Sequence, residues 1–193
     1  MFDPLPQAQM LTTIKELIDS PESGDLQWFR AAYGRWRREL SLGVSLSETA
    51  IDADIQDILH ADHYRIFLIQ AAGQSVGFAI MNSWDVAARA LQRPKIQRSQ
   101  VTPGVSSSRG NRALPDHELI EFFIDQSFRQ RGIGAEAARL LLARFAGLWQ
   151  VSQLDTDRVA VHFWRAVITR ASGGEFSESH ADGRFYQRFR SGV

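Results

Sequence analysis

Cysteine is absent from the 193 residues, which excludes disulfide bonds, thiolate catalysis and cysteine-ligated zinc. No charge of one sign predominates: 22 basic and 22 acidic residues cancel, so no overall field draws the chain to nucleic acid or an anionic membrane. No apolar run approaches the roughly 20 residues of a membrane helix. The start, Met1-Phe2-Asp3-Pro4, lacks the basic and apolar segments of a signal peptide. With 44% hydrophobic residues, we expect a soluble cytoplasmic protein that forms one domain over residues 1–193.

Helical spacing of apolar residues dominates the first third of the chain. It predicts helices over Met10–Ile18, Leu26–Leu40 and Ile51–Leu59, the first of which is alternatively part of a mobile extension over residues 1–25. Two apolar runs follow, Tyr64–Ile69 and Ser75–Met81, and the short Gly73-containing link between them predicts an antiparallel hairpin.

Residues 91–116 differ from both flanks, because they are rich in proline, serine and basic residues and have little periodicity. We expect a mobile insertion between two strands of one sheet. The remaining elements predicted beyond it are the strand Leu119–Ile124, a helix from Gly134 to about Phe145, the strand Trp149–Leu154, a helix containing Ala160–Ile168, and strands at Glu175–Ser177 and Arg184–Phe189. This order favours an α+β fold with a mixed sheet flanked by helices, in which the strands ending at Ile124 and starting at Trp149 are parallel.

The most informative segment is the basic, glycine-rich turn Phe128–Ala135, which lies between a predicted strand and a predicted helix. Free amides at a helix N-terminus, together with the helix dipole, favour a phosphate there. Gly132 and Gly134 allow close approach of the backbone, and Arg129 and Arg131 add positive charge. The alternative is a plain connection with two surface arginines.

The segment Ile124–Gly134 resembles the acetyl-CoA signature of the GNAT superfamily of N-acetyltransferases, Gln/Arg-x-x-Gly-x-Gly/Ala, through Arg129, Gly132 and Gly134. The segment Ala160–Arg165 is similar to the Ala-x-x-Phe-Tyr element of the family, and the hairpin around Gly77 resembles its central hairpin. Bacterial members with Glu-Phe-Phe before the turn and Phe-Trp-Arg near the end look most similar.

The resemblance implies an acetyl-CoA-dependent N-acetyltransferase whose acceptor is a primary amine of a small molecule or protein. It implies a mostly antiparallel sheet with a splayed central parallel pair, and acetyl-CoA as co-substrate. From charge and composition we expect no metal and no nucleic-acid or membrane partner; a homodimer is left open. A non-catalytic CoA-binding or regulatory module of the same fold is the alternative. The implied cofactor-binding residues are Phe122, Phe123 and Ile124 for the pantetheine arm, Arg129, Gln130, Arg131, Gly132, Ile133, Gly134 and Ala135 for the pyrophosphate, and Trp164.

A dinucleotide fingerprint competes with this interpretation. Gly132-x-Gly134-x-x-Ala137 fits it, and Asp155 lies about 20 residues on, where a ribose-binding acid is expected. In a dinucleotide-binding fold the first glycine follows its strand almost at once, whereas here Asp125 to Arg131 intervene. Too little chain also follows Asp155 for the further βαβ units of that fold.

Two glutamates on the strand before the turn are candidate bases for the acceptor amine. Strict alternation would place Glu118 on one face and Glu121 on the other, and apolar neighbours favour a raised pKa for either. We expect Glu121 to be the base, with Glu118 as the second candidate; a paired strand-end glutamate is the alternative for each.

Trp164 stands where the family usually has a tyrosine that is thought to protonate the leaving thiolate. An indole cannot act as that acid, although it can donate a hydrogen bond to sulfur. Tyr186 is a substitute, but packing is its expected role. His60 and His63 lack further metal ligands, so we expect surface histidines, and we expect a structural role for His162.

Overall fold

The computed structural model describes residues 11–17, 24–40, 47–83 and 114–192. These residues form seven strands and four α-helices, and a short 3₁₀ turn spans Gln126–Phe128. The strands are β1 (Thr12–Glu16), β2 (Tyr64–Ala71), β3 (Gln74–Ser83), β4 (His117–Ile124), β5 (Gly147–Leu154), β6 (Phe176–Ala181) and β7 (Arg184–Ser191). The helices are α1 (Gly24–Leu40), α2 (Glu48–His60), α3 (Ile133–Arg144) and α4 (Arg158–Ala171).

All seven strands form one mixed sheet in the order β1-β2-β3-β4-β5-β7-β6. Among the described strands only β4 and β5 pair in parallel; every other neighbour pair is antiparallel. Helix α3 connects the parallel pair, as a crossover must. The predicted hairpin, the parallel pair and the α+β fold class are therefore confirmed.

Helices cover both faces of the sheet. On one face, α1 and α2 pack over Ile66, Leu68 and Phe78. On the other face, α3 and α4 pack over a core that includes Trp149 and Val151. Fully burying an apolar side chain of this size contributes about 1.5–3 kcal/mol, so both layers hold the sheet rigidly from either side.

An aromatic cluster fixes α1 on its face of the sheet. Phe29, Tyr33 and Trp36 recur at helical spacing and surround Phe78 of β3, with ring centroids 5.3–6.0 Å apart. Phe78 in turn contacts Phe123 of β4 at 5.4 Å. The predicted helix over Leu26–Leu40 is confirmed, and this cluster ties it to the strand that precedes the glycine-rich turn.

The predicted helix over Met10–Ile18 is wrong where the chain is described, because Thr12–Glu16 is the edge strand β1. Its backbone pairs with β2 from Thr12↔Ala71 to Glu16↔Phe67, and Arg65 donates two hydrogen bonds to the Glu16 carboxylate at 2.7 and 2.8 Å. Sheet pairing overrides a helical spacing of only a few apolar residues.

Of the predicted insertion over 91–116, residues 91–113 lie outside the described part of the chain. None of the described helices is long and apolar enough to cross a bilayer.

Candidate active site

The parallel strands β4 and β5 separate part-way along their length. They pair at His117↔Trp149, Glu118↔Gln150 and Leu119↔Val151, and beyond Leu119 no β4 residue pairs with β5 in the described structure. Both strands continue, β4 to Ile124 and β5 to Leu154. The last residues of β4 therefore present backbone N–H and C=O groups to a gap inside the sheet, where an extended ligand with amide groups could pair as an added strand.

An extra residue in β4 lies beside this gap. Ile80 of β3 pairs with Glu121 and Met81 pairs with Leu119, so Ile120 is inserted between them as a β-bulge. Leu119 packs in the α3–α4 core, whereas Glu121 faces α1 and α2. The predicted placement of Glu118 and Glu121 on opposite faces is wrong: the bulge interrupts the alternation, and both side chains face α1 and α2.

Glu121 lines a pocket between α1, α2 and the sheet, which we name the α1–α2 pocket. Its volume is about 300 Å³. Burial raises the pKa of Glu121 to about 7, although the positive charges of Arg184 and Arg37 act in the opposite direction. A carboxylate that titrates near neutral pH has the proton affinity required of a general base. The other lining residues are Tyr33, Trp36, Arg37, Asp54, Asp57, Ile58, Tyr64, Ile80 and Ile120.

Glu118 occupies a different environment, at the paired end of β4. The Gln150 side-chain amide donates to the Glu118 carboxylate at 2.7 Å, and Arg188 donates to the Gln150 amide oxygen at 2.7 Å. This chain of hydrogen bonds joins β4, β5 and β7. The contacts indicate that Glu118 holds the paired part of the strands together.

The glycine-rich turn ends in a helix N-terminus whose first amides carry no side-chain cap. Gly132 is the N-cap residue and has a φ of +80°, and the first helical hydrogen bond runs from Glu136 N–H to the Gly132 carbonyl oxygen. The N–H groups of Ile133, Gly134 and Ala135 precede that bond, and such groups have no partner within the helix. They form, with the positive end of the helix dipole, an anion-binding position.

The predicted cofactor residues in this turn divide into different roles. The side chain of Ile133 is buried against Ile124 in the core, so only its amide can contact a ligand. Gln130 has a φ of +61° and is exposed, as is Arg131. Arg129 is held by a hydrogen bond to the Ile124 carbonyl oxygen at 2.7 Å and by an ion pair with Glu39 at 2.7 Å.

Three aromatic side chains pack together on the α3–α4 face of the gap. Phe122 of β4 contacts Phe163 and Trp164 of α4, with ring centroids 6.0 and 5.2 Å apart. Trp164 is buried, which suits a wall of the gap better than proton transfer. Tyr186 of β7 pairs with Ser152 of β5. Its neighbour Gln187 is fully buried on the α3–α4 face of the sheet. Because successive side chains of a strand alternate, Tyr186 faces the α1–α2 side.

A mostly apolar groove of about 470 Å³ begins where α3 starts, which we name the α4 groove. Most of its residues could not be predicted from the sequence, because exposed apolar positions on a helix carry no distinctive pattern. It is lined by Ala135, Arg158, Val159, His162, Phe163, Ala166, Val167 and Arg170. The pocket residues Asp54, Asp57 and Tyr64 were also missed, since only the tertiary fold brings α2 and β2 to Glu121.

No group of three or more His, Cys, Asp or Glu side chains suited to a metal ion occurs in the described residues. His60 Nδ1 lies 2.7 Å from the Gln56 carbonyl oxygen, and the His63 ring packs on Tyr64 at 4.3 Å. His162 lines the α4 groove rather than the gap.

The sequence model of the Acetyltransferase (GNAT) family matches residues 27–167, which is most of the chain. The chain belongs to this family. The match covers most of α1, the central hairpin, the gap, the glycine-rich turn and most of α4. None of the curated proteins matches the chain in sequence.

Solved structures share the fold of this GNAT domain at low identity. The ribosomal-protein-S18-alanine N-acetyltransferase of Escherichia coli is 14% identical, with a TM-score of 0.53 and coverage of 95% of this chain and 96% of that one. An acetyltransferase of Thermus thermophilus is 15% identical, with a TM-score of 0.58 and coverage of 94% and 99%. The aminoglycoside acetyltransferase AAC(6')-Ib, solved in complex with coenzyme A, is 12% identical, with a TM-score of 0.57 and coverage of 93% and 95%.

The dinucleotide-binding alternative does not agree with this topology. A doubly wound dinucleotide fold requires a mostly parallel sheet, whereas the described strands contain one parallel pair. Asp155, the suggested ribose ligand, instead lies in the turn after β5 and contacts His180 Nε2 at 2.8 Å.

Proposed function

We propose that this GNAT domain is an acetyl-CoA-dependent N-acetyltransferase that acts on a primary amine. The observation that carries the proposal is the position of Glu121, a half-buried carboxyl with a pKa of about 7, two residues beyond the last paired position of β4 and β5. A non-catalytic module would not require a carboxyl held near neutrality beside the gap.

The cofactor would lie across the α3 N-terminus and the gap. The amides of Ile133, Gly134 and Ala135 would bind the pyrophosphate, with Arg131 as an added charge. The pantetheine arm would pair with the backbone groups that β4 directs into the gap along Phe122, Phe123 and Ile124, other than the Ile124 carbonyl oxygen, which accepts from Arg129. The α4 groove, which shares Ala135 with the turn, offers an apolar surface flanked by Arg158 and Arg170 for the remainder of the nucleotide.

The acceptor amine would enter from the α1–α2 pocket, on the opposite face from α3 and α4. Glu121 takes a proton from the ammonium, directly or through water, and the neutral amine attacks the thioester carbonyl. A backbone N–H near Ile124 would donate to the carbonyl oxygen as negative charge develops. The C–S bond then breaks, the amide forms, and CoA leaves as the thiolate or thiol.

The test is thiol release from acetyl-CoA with a panel of amines, measured together with calorimetric binding of CoA. We expect CoA binding and amine-dependent thiol release, with the acetylated amine identified by mass spectrometry. Binding of CoA without release for any amine would favour the non-catalytic alternative, and no binding of CoA would contradict the proposal.

A further inference from the structure

The α1–α2 pocket has an uneven distribution of charge. Among the described residues that line it, Arg37 is the only base, and its guanidinium forms an ion pair with Asp54 at 2.8 Å. Asp57 and Glu121 make no ion pair or hydrogen bond within the part of the chain that the structure describes. Two carboxyl groups therefore remain available to a ligand after the internal pair has formed.

The two available carboxyl groups come from different elements. Glu121 belongs to the sheet beside the gap, whereas Asp57 belongs to α2 and is exposed at the pocket rim. Asp54 lies one turn before Asp57 on the same helix face, so the helix presents acidic groups to the pocket along its length. A ligand whose amine reaches Glu121 therefore passes an acidic rim.

The walls between these carboxyl groups are aromatic. Tyr33, Trp36 and Tyr64 line the pocket together with Ile58 and Ile80. Aromatic faces bind alkyl chains by burial and attract ammonium groups through the ring quadrupole. A short alkyl spacer with a cationic group at each end matches a pocket that has aromatic walls and available carboxyl groups on two different elements, β4 and α2.

We propose that the acceptor is a small amine with a second positive charge, of the short-diamine class, whose reacting nitrogen lies at Glu121 and whose other ammonium lies at Asp57. The inference rests on the proposed acetyltransferase activity and specifies its substrate class. The volume of about 300 Å³ is at the lower end of small-molecule sites, roughly 300–1,000 Å³, which favours a small molecule over a folded protein.

The test compares three compounds of equal chain length: a linear diamine, the matched monoamine and the matched ω-amino acid. We expect kcat/KM for thiol release to be highest for the diamine and lowest for the ω-amino acid, because its carboxylate would face Asp57. Asp57→Asn should reduce the ratio of diamine to monoamine by about two- to fivefold, the effect expected when one exposed ion pair at a pocket rim is lost. Asp52→Asn is the matched control, since Asp52 is on the same helix but outside the pocket and lies 3.9 Å from Arg30; the ratio should not change.

Two outcomes would overturn the inference. One is equal kcat/KM for the diamine and the monoamine, and the other is a ratio that Asp57→Asn and Asp52→Asn change equally. Calorimetric titration of the protein with each amine separates this inference from the proposed activity. Preferential binding of the diamine without thiol release would support the pocket assignment and contradict catalysis. Thiol release without a preference for the diamine would support catalysis and contradict the pocket assignment.

Discussion

Arg129 Nε donates a hydrogen bond to the carbonyl oxygen of Ile124, the last residue of β4, at 2.7 Å. The same guanidinium pairs with Glu39 of α1 and lies over the Phe123 ring at 5.5 Å. Arg129 thus attaches the glycine-rich turn to the end of β4. Arg131 has a different environment: it is exposed, and its guanidinium lies over the Phe128 ring at 5.7 Å.

Arg129→Ala and Arg131→Ala should therefore act differently on CoA binding. Arg129→Ala should lower the melting temperature and weaken CoA binding, because the turn loses its attachment to Ile124. Arg131→Ala should weaken CoA binding severalfold without changing the melting temperature, and the loss should diminish at high salt because exposed charges are screened. Thermal denaturation and calorimetry at two salt concentrations measure both effects; equal melting temperatures for the two variants would contradict the assignment.

Gly132 and Gly134 should differ in their tolerance of alanine. Gly132 has a φ of +80°, where a β-carbon costs about 1–2 kcal/mol, so Gly132→Ala should destabilise the turn and weaken CoA binding. A β-carbon on Gly134 would lie 3.5 Å from Ile124 and 3.6 Å from Phe163, ordinary contact distances. Gly134→Ala should leave the free energy of unfolding unchanged or raise it, since alanine favours helix. Urea denaturation of both variants checks the contrast.

Glu121→Gln should lower the rate of acetyl transfer by about 10²–10⁴-fold and leave CoA affinity unchanged, because the proposed base is lost while the turn is intact. For the wild type, kcat/KM should rise with pH through about 7 as the Glu121 carboxylate forms. Glu118→Gln is the control: its amide oxygen can still accept from Gln150, and the loss should be below about tenfold. A pH–rate profile that is flat across neutrality would contradict the role of Glu121.

Glu121 should also make the folded protein less stable at high pH. Its pKa rises from 4.5 to about 7 on folding, so between these values the native state binds more protons and the free energy of unfolding falls as pH rises. At about 1.4 kcal/mol per pKa unit, the full effect is about 3 kcal/mol above pH 7. Glu121→Gln should be more stable than the wild type at pH 8 by up to this amount, and the difference should vanish below about pH 4.5. Chemical denaturation across pH measures this difference, and parallel stability curves for the two proteins would count against it.

The turn and the parallel pair could be predicted because their determinants are local. Gly132, Gly134 and the flanking apolar run specify a strand, a sharp turn and a helix start within a dozen residues. The face of Glu121 could not be predicted, because the bulge at Ile120 is defined by pairing with Ile80 across the sheet. For the same reason, Asp57 gave no signal in the sequence: its proximity to β4 depends on how α2 packs on α1.

Strand β1 could not be predicted, because its own few residues fit a helix as well as a strand. Ile14 and Leu17 fit a helical spacing, but Thr12 and Thr13 favour a strand, and the deciding interaction is the pairing with β2, more than fifty residues away. Five residues are too few for periodicity to decide between helix and strand.

The sheet separates the two proposed ligand-binding surfaces into different structural layers. One layer, α1 and α2, contributes the pocket around Glu121, and the other, α3 and α4, contributes the turn and the groove. Substitutions at the α1 and α2 residues that line the pocket should therefore alter the proposed acceptor site without altering the proposed nucleotide contacts, whereas Glu39 of α1 is an exception because it pairs with Arg129 of the turn. Under this proposal, divergence of such a scaffold can change substrate preference one helix at a time, while the layer proposed to bind the acyl donor stays constant.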